Sequence, residues 1–73
     1  MPKTSSEYSK TYGNEFDHIS VIPSSGVSVK VEFWSGSEFI EDPRSPIMQA
    51  ERVFVRNTSV RFTPIGGYCW IGG

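Results

Sequence analysis

An all-β fold is predicted for this chain: a small antiparallel sandwich or barrel of about five or six strands behind a flexible N-terminal arm. Three observations predict it. In Gly26-Val27-Ser28-Val29-Lys30-Val31-Glu32-Phe33-Trp34 apolar and polar residues alternate, which is the side-chain period of a strand with one buried and one wet face. Turn-forming residues interrupt the chain at short intervals, at Pro23–Gly26, Ser35–Ser37, Asp42–Pro46, Asn57–Ser59 and Pro64–Gly67, as in a small all-β domain. No internal repeat and no helical heptad is visible.

Residues 1–15 are rich in Ser, Thr, Lys, Glu, Tyr and Asn, with no aliphatic residue between Met1 and Phe16. Little there drives burial, so a flexible arm is expected. Tyr8 and Tyr12 either anchor that arm on a neighbouring subunit or stand exposed. Residues 16–73 form the single β-domain. A first strand is expected over Phe16–Ile22, with Ile19 and Val21 on one side. Val27–Trp34 is the clearest strand, and Glu38–Glu41 pairs back on it. Pro43 and Pro46 interrupt regular ladder bonding, and Ile47–Ala50 is read as a helical turn. In Arg52–Arg56, Val53 and Val55 share a face and Phe54 lies opposite. Val60–Thr63 and Tyr68–Ile71 complete the set.

At 73 residues the chain has room for one domain, and one core of that size gives marginal stability. Cys69 is the only cysteine and His18 the only histidine, so neither an internal disulfide nor a four-ligand zinc site is available. Self-association remains as the supplement. With 7 Lys+Arg against 8 Asp+Glu, no basic stripe exists to neutralise phosphates, which argues against nucleic acid as a partner. Met1–Ser6 has no apolar core of a secretory signal, and no apolar run spans a bilayer. Synthesis in the cytoplasm is expected, with no membrane partner, and the sequon at Asn57-Thr58-Ser59 is then read as chance.

Candidate chemistry is sparse. Asp17-His18 beside Glu15 is the first acid–base candidate, but histidine catalysis needs a positioned partner and nucleophile. A partly exposed histidine at a strand edge is the favoured reading. Cys69, between Tyr68 and Trp70, has no neighbouring cation to lower its pKa, so it is read as a core thiol. Glu38, Glu41 and Asp42 form the densest acidic group without a calcium-loop pattern, which leaves a solvated loop. No catalytic residue, metal or cofactor is expected, and the chain is read as a non-enzyme. Trp34, Phe54, Tyr68 and Trp70 carry the functional promise as interface residues, with Tyr8 and Tyr12 on the arm. Trp34 and Phe54 are out of phase with the buried valines, and such aromatics either pack in a second layer, meet a partner or stack on a sugar.

The segment Val53-Phe54-Val55-Arg56-Asn57-Thr58-Ser59-Val60-Arg61-Phe62-Thr63-Pro64-Ile65-Gly66-Gly67 resembles the C-terminal portion of small β-rich tailed-phage virion proteins. Those chains pair a strand with a turn and a second strand of the Ser-Val-Arg-Phe-Thr type. The Val27–Gly36 strand is similar in style, and the resemblance covers residues 16–71 in manner. It implies a structural component of a phage particle, such as a capsid decoration protein, a head-fibre element or an adaptor. Such a protein would be a homo-oligomer bound to capsid or tail proteins and located in the virion. The alternative is a small carbohydrate-binding module with Trp34 or Trp70 as its stacking platform.

The strand assignment has a direct test. Val31→Asp buries an unpaired carboxylate, whose cost of several kcal/mol stands against roughly 5 kcal/mol of total stability. Loss of cooperative melting is expected, and a soluble variant that still melts cooperatively would refute the assignment.

Overall fold

The computed structural model describes residues 3–14 and 18–72. Eight strands are present: β1 (Lys3–Thr4), β2 (Tyr8–Tyr12), β3 (His18–Pro23), β4 (Ser28–Trp34), β5 (Phe39–Glu41), β6 (Glu51–Phe54), β7 (Thr58–Ile65) and β8 (Cys69–Gly72). They form two four-stranded sheets, ordered β1-β8-β3-β6 and β2-β7-β4-β5, with every neighbouring pair antiparallel. The all-β sandwich expected from the alternation is therefore what forms. Among the described strands, only β4 and β5 are joined as a hairpin within one sheet, and the other consecutive strands lie in different sheets.

The inner faces follow the period of two. Val27, Val29 and Val31 from β4 and its entry, Ile19 and Val21 from β3, Val53 and Val55, Val60 and Phe62, and Cys69 and Ile71 are all buried. Most are β-branched, which suits close packing of two pleated surfaces. Phe33, in phase with the β4 valines, is only partly buried and packs against the core. It lies near the exit of β4, opposite Val60 and the exposed Ile40.

The flexible arm expected over residues 1–15 is corrected by the structure over its described part, residues 3–14. Its residues supply the two strands beyond the expected six. Tyr8, Ser9, Lys10, Thr11 and Tyr12 pair in order with Phe62, Arg61, Val60, Ser59 and Thr58. Lys3 and Thr4 pair with Trp70 and Cys69. In β2 only the two tyrosines mark the inward side, since Lys10 between them is exposed. Tyr12 is buried in the core and Tyr8 packs against it, while Ser9 and Thr11 are exposed. Two rings bury as much apolar surface as several aliphatics. The boundary placed between residues 15 and 16, like the start of the first strand at Phe16, lies outside the described residues.

The helical turn expected at Ile47–Ala50 does not form. Ile47 is buried and bridges Val29: the Val29 N–H donates to Ile47 O at 2.9 Å and the Ile47 N–H to Val29 O at 2.8 Å. Prolines bar a regular strand here, so a side chain completes the ladder. The Val31 N–H donates to Ser45 Oγ at 3.0 Å and the Asp42 N–H to Val31 O at 2.8 Å. This edge of β4 is thus covered by irregular chain, which discourages pairing with another sheet.

Pro64 occupies an inner position of β7 opposite Val29. Both backbone polar groups of Val29 turn toward Ile47, so those of position 64 turn away from β4, toward the side that β2 has left. A residue without an N–H is tolerated there. Gly66 has a φ of +92°, the left-handed region that glycine enters freely. At Gly67 the constraint is space, since a Cβ would stand 2.6 Å from Val27 Cγ2.

Because β2 covers one edge of β7 and seats Tyr8 and Tyr12, deleting residues 1–14 should unfold the domain. Loss of amide dispersion in the NMR spectrum is the expected outcome. A truncated chain that keeps a dispersed spectrum and a cooperative melt would restore the arm reading.

Candidate interaction surfaces

The two outward faces carry the aromatics that the core does not take. On the β1-β8-β3-β6 sheet, Trp70 pairs with both Ile22 and Lys3. The Tyr68 and Trp70 rings meet edge to face with centroids 5.0 Å apart. Lys3 Nζ lies 4.5 Å from the Tyr68 ring centre, a cation–π contact that fixes one rim of the pair. At the opposite end His18 pairs with Phe54, their rings 5.4 Å apart. Tyr68 is 37% and Phe54 54% exposed, and Trp70 is half-buried. Between these ends lies a shallow groove of about 210 Å³ lined by Ser20, Ile22, Ala50, Glu51 and Arg52.

The β2-β7-β4-β5 sheet presents a different surface. Arg61 grips Glu32 with two hydrogen bonds, Nε to Oε1 at 2.9 Å and Nη2 to Oε2 at 3.0 Å. Lys30 Nζ approaches the same carboxylate at 3.8 Å, and Glu7 lies 3.9 Å from Arg61 Nε. The guanidinium carbon also sits 4.1 Å from the Phe39 ring centre. Under this cover Glu32 is 7% exposed although it points out of the sandwich. The Arg61 hydrogen bonds hold its carboxyl below the ordinary value of 4.5, against the opposing effect of burial. Glu41, directly across from Glu32, would repel it; it instead accepts a hydrogen bond from Ser45 Oγ at 2.7 Å.

Beyond this pair Trp34, 44% exposed, meets Phe39 edge to face at 5.1 Å. On its other flank an open groove of about 390 Å³ is lined by Trp34, Thr11, Tyr12, Gly13 and the 57–59 segment. Thr11 Oγ1 and Ser59 Oγ share a hydrogen bond of 2.8 Å. Asn57, with a φ of +51°, donates its N–H to Gly13 O at 3.3 Å and ties the groove's two walls together. Sequence reasoning found Trp34 but not these partners, because they lie on segments read as an arm and a turn. The signal was present in the Tyr8–Tyr12 alternation, which places Thr11 on the outer side.

Of the six residues expected at an interface, Trp34, Phe54, Tyr68 and Trp70 lie on outer faces. Tyr12 does not: it is 4% exposed, and burial, with Tyr8 nearby adding to it, pushes its phenol up to about 12. Tyr8 is half-buried against the core. Both tyrosines anchor the N-terminal segment within its own domain instead of on a neighbour. Cys69 is fully buried, which pushes its thiol up, away from the reactive thiolate. His18 is exposed beside Phe54, while its sequence neighbours Asp17 and Glu15 lie outside the described residues. Of the acidic group, Asp42 Oδ1 accepts the Arg44 N–H at 2.7 Å, Glu41 is held by Ser45 and Glu38 is exposed. Among the described residues no three His, Cys, Asp or Glu side chains converge as a metal site would require.

No family model, curated protein or solved structure matches this chain.

Because Glu32 titrates below its ordinary value in the folded state, it contributes stability that is complete above about pH 5 and is lost as pH falls through the lowered folded value. Thermal melts of Glu32→Gln against the parent chain should therefore show a gap near neutrality that closes in acid. A gap that is constant down to about pH 2 would remove the Arg61 grip as its cause.

Proposed function

We propose that the chain is a structural component of a phage particle, of the decoration, head-fibre or adaptor type, acting by self-association and by binding a virion surface. The observation that carries the association is the outer face of the β1-β8-β3-β6 sheet. Its Tyr68–Trp70 pair beside Ile22 and its exposed Phe54 stand outside a core already filled from the inner face. Large aromatic rings at a surface are the residues that gain most from a protein partner. Covering them removes apolar area worth roughly 25 cal/mol per Å².

The sheet edges support contact through faces. β1 has two residues, and β6 carries Glu51 and Arg52, features that discourage strand-to-strand addition. The near balance of 7 basic and 8 acidic residues suits a protein partner better than a polyanion. The virion setting rests on the likeness of residues 53–67 and 27–36 to small β-rich phage proteins. No catalytic step, cofactor or metal belongs to this reading.

Sedimentation equilibrium should give a closed multimer for the parent chain. Trp70→Ser should weaken its association at least tenfold, which is about 1.4 kcal/mol, and leave a cooperative melt. A parent chain that stays monomeric at all concentrations and does not bind phage particles would overturn the proposal.

A further inference from the structure

We propose that the groove beside Trp34 is a binding site for a neutral oligosaccharide built of hexopyranose rings with equatorial hydroxyls. The site lies on the sheet opposite to the proposed assembly face and stands independently of it. Its volume of about 390 Å³ falls in the range of small-ligand sites, roughly 300–1,000 Å³. Its shape is open at the surface, as an extended chain requires.

The lining defines the ligand's chemistry. A hexopyranose with equatorial hydroxyls has two C–H faces and a polar rim. Trp34, 44% exposed, supplies an apolar wall, and aromatic rings with one wet side suit such amphipathic partners. Thr11, Thr58 and Ser59 supply hydroxyls and Asn57 an amide. Each of these both donates and accepts, as sugar hydroxyls do. Among the described residues, none that lines the groove carries a formal charge, although a fifth of the chain is charged (21%). An anionic or cationic ligand would meet no counter-charge among these described lining residues, whereas a neutral polyol leaves no ion to desolvate.

The site is also built before any ligand arrives. Phe39 braces Trp34 from the β5 side at 5.1 Å, leaving the indole open toward β7. The Thr11–Ser59 hydrogen bond of 2.8 Å joins the floor, and the Asn57–Gly13 bond of 3.3 Å joins the walls. Rigid walls reduce the ordering cost of binding. Trp70, the other candidate platform, is half-buried and in edge contact with Tyr68.

The test titrates cellohexaose, laminarihexaose and maltohexaose, with hexagalacturonate as the acidic control, into the full chain followed by NMR. At least one neutral glucan should shift the Trp34 indole N–H and the amides of Asn57, Thr58 and Ser59. Trp34→Ala should weaken that binding tenfold or more, and the Thr11→Ala/Ser59→Ala double variant, which keeps the indole, should weaken it several-fold. Trp70→Ser should bind unchanged, which separates this site from the assembly face. The proposal is overturned if no neutral glucan shifts these resonances, if hexagalacturonate binds equally well, or if both groove variants bind as the parent does.

Discussion

Phe62 lies fully buried in the middle of a row that runs across three strands, between Tyr8 on β2 and Val31 on β4. The sheet that β7 centres can close over the other only if this row stays flat and filled. That requirement reaches outward in the sequence. It brings the N-terminal residues into the fold, since Tyr8 is the neighbour of Phe62 on the open side of β7. It also fixes the next residue, Arg61, on the outer surface between Ser9 and Glu32. The bidentate ion pair there is a consequence of the inner packing, because a strand cannot turn Phe62 inward without turning Arg61 out. One side of β7 thus organises the core and the other organises a surface.

The parts of this architecture legible in the sequence were those written in aliphatic residues. Val27, Val29 and Val31, the Val53–Val55 pair, and Val60 with Phe62 hold a phase that leaves one reading. The N-terminal strands were not legible, because Tyr8 and Tyr12 can be either exposed or core and only the empty edge of β7 decides between them. Ile47 was misassigned for a similar reason: four residues after two prolines carry too little periodicity to distinguish a helical turn from a bridge. The crossing topology was not legible at all. A turn such as Arg56–Asn57 has the same local chemistry whether it returns within a sheet or passes to the other one. At the candidate surfaces the aromatics were visible from their phase, but the hydroxyls around Trp34 come from strands far apart in the chain and meet only through register.

The outward aromatics have a packing origin. A sandwich separated by about 10 Å has room between its sheets for side chains of limited reach from each face. Valine and isoleucine fill most of the inner positions here, with Phe62 and Tyr12 the only aromatic residues in the buried core among the described residues. Adding Trp34, Phe54 or Trp70 to that layer would overfill it, and overpacking a dense core costs about 1–3 kcal/mol. These rings therefore stand outside as a result of size, and once outside they are available for contact with something else.

The two contacts proposed above differ in how each outer face is held. On the β2-β7-β4-β5 sheet, the Arg61–Glu32 pair, its stacking on Phe39 and the Phe39–Trp34 contact form one continuous chain of fixed groups. The indole at its end is held on the Phe39 side, and a held ring beside hydroxyl-bearing residues suits the small ligand proposed for this groove. On the other sheet the two aromatic clusters are separated by Ser20, Arg52 and Gly72, with no ion pair joining them among the described contacts. A surface of that kind has anchors at both ends and a low polar middle, a pattern that a broad protein partner can cover and a single sugar ring cannot span. The two proposed contacts, a protein on one face and an oligosaccharide on the other, therefore share no residues and would not compete.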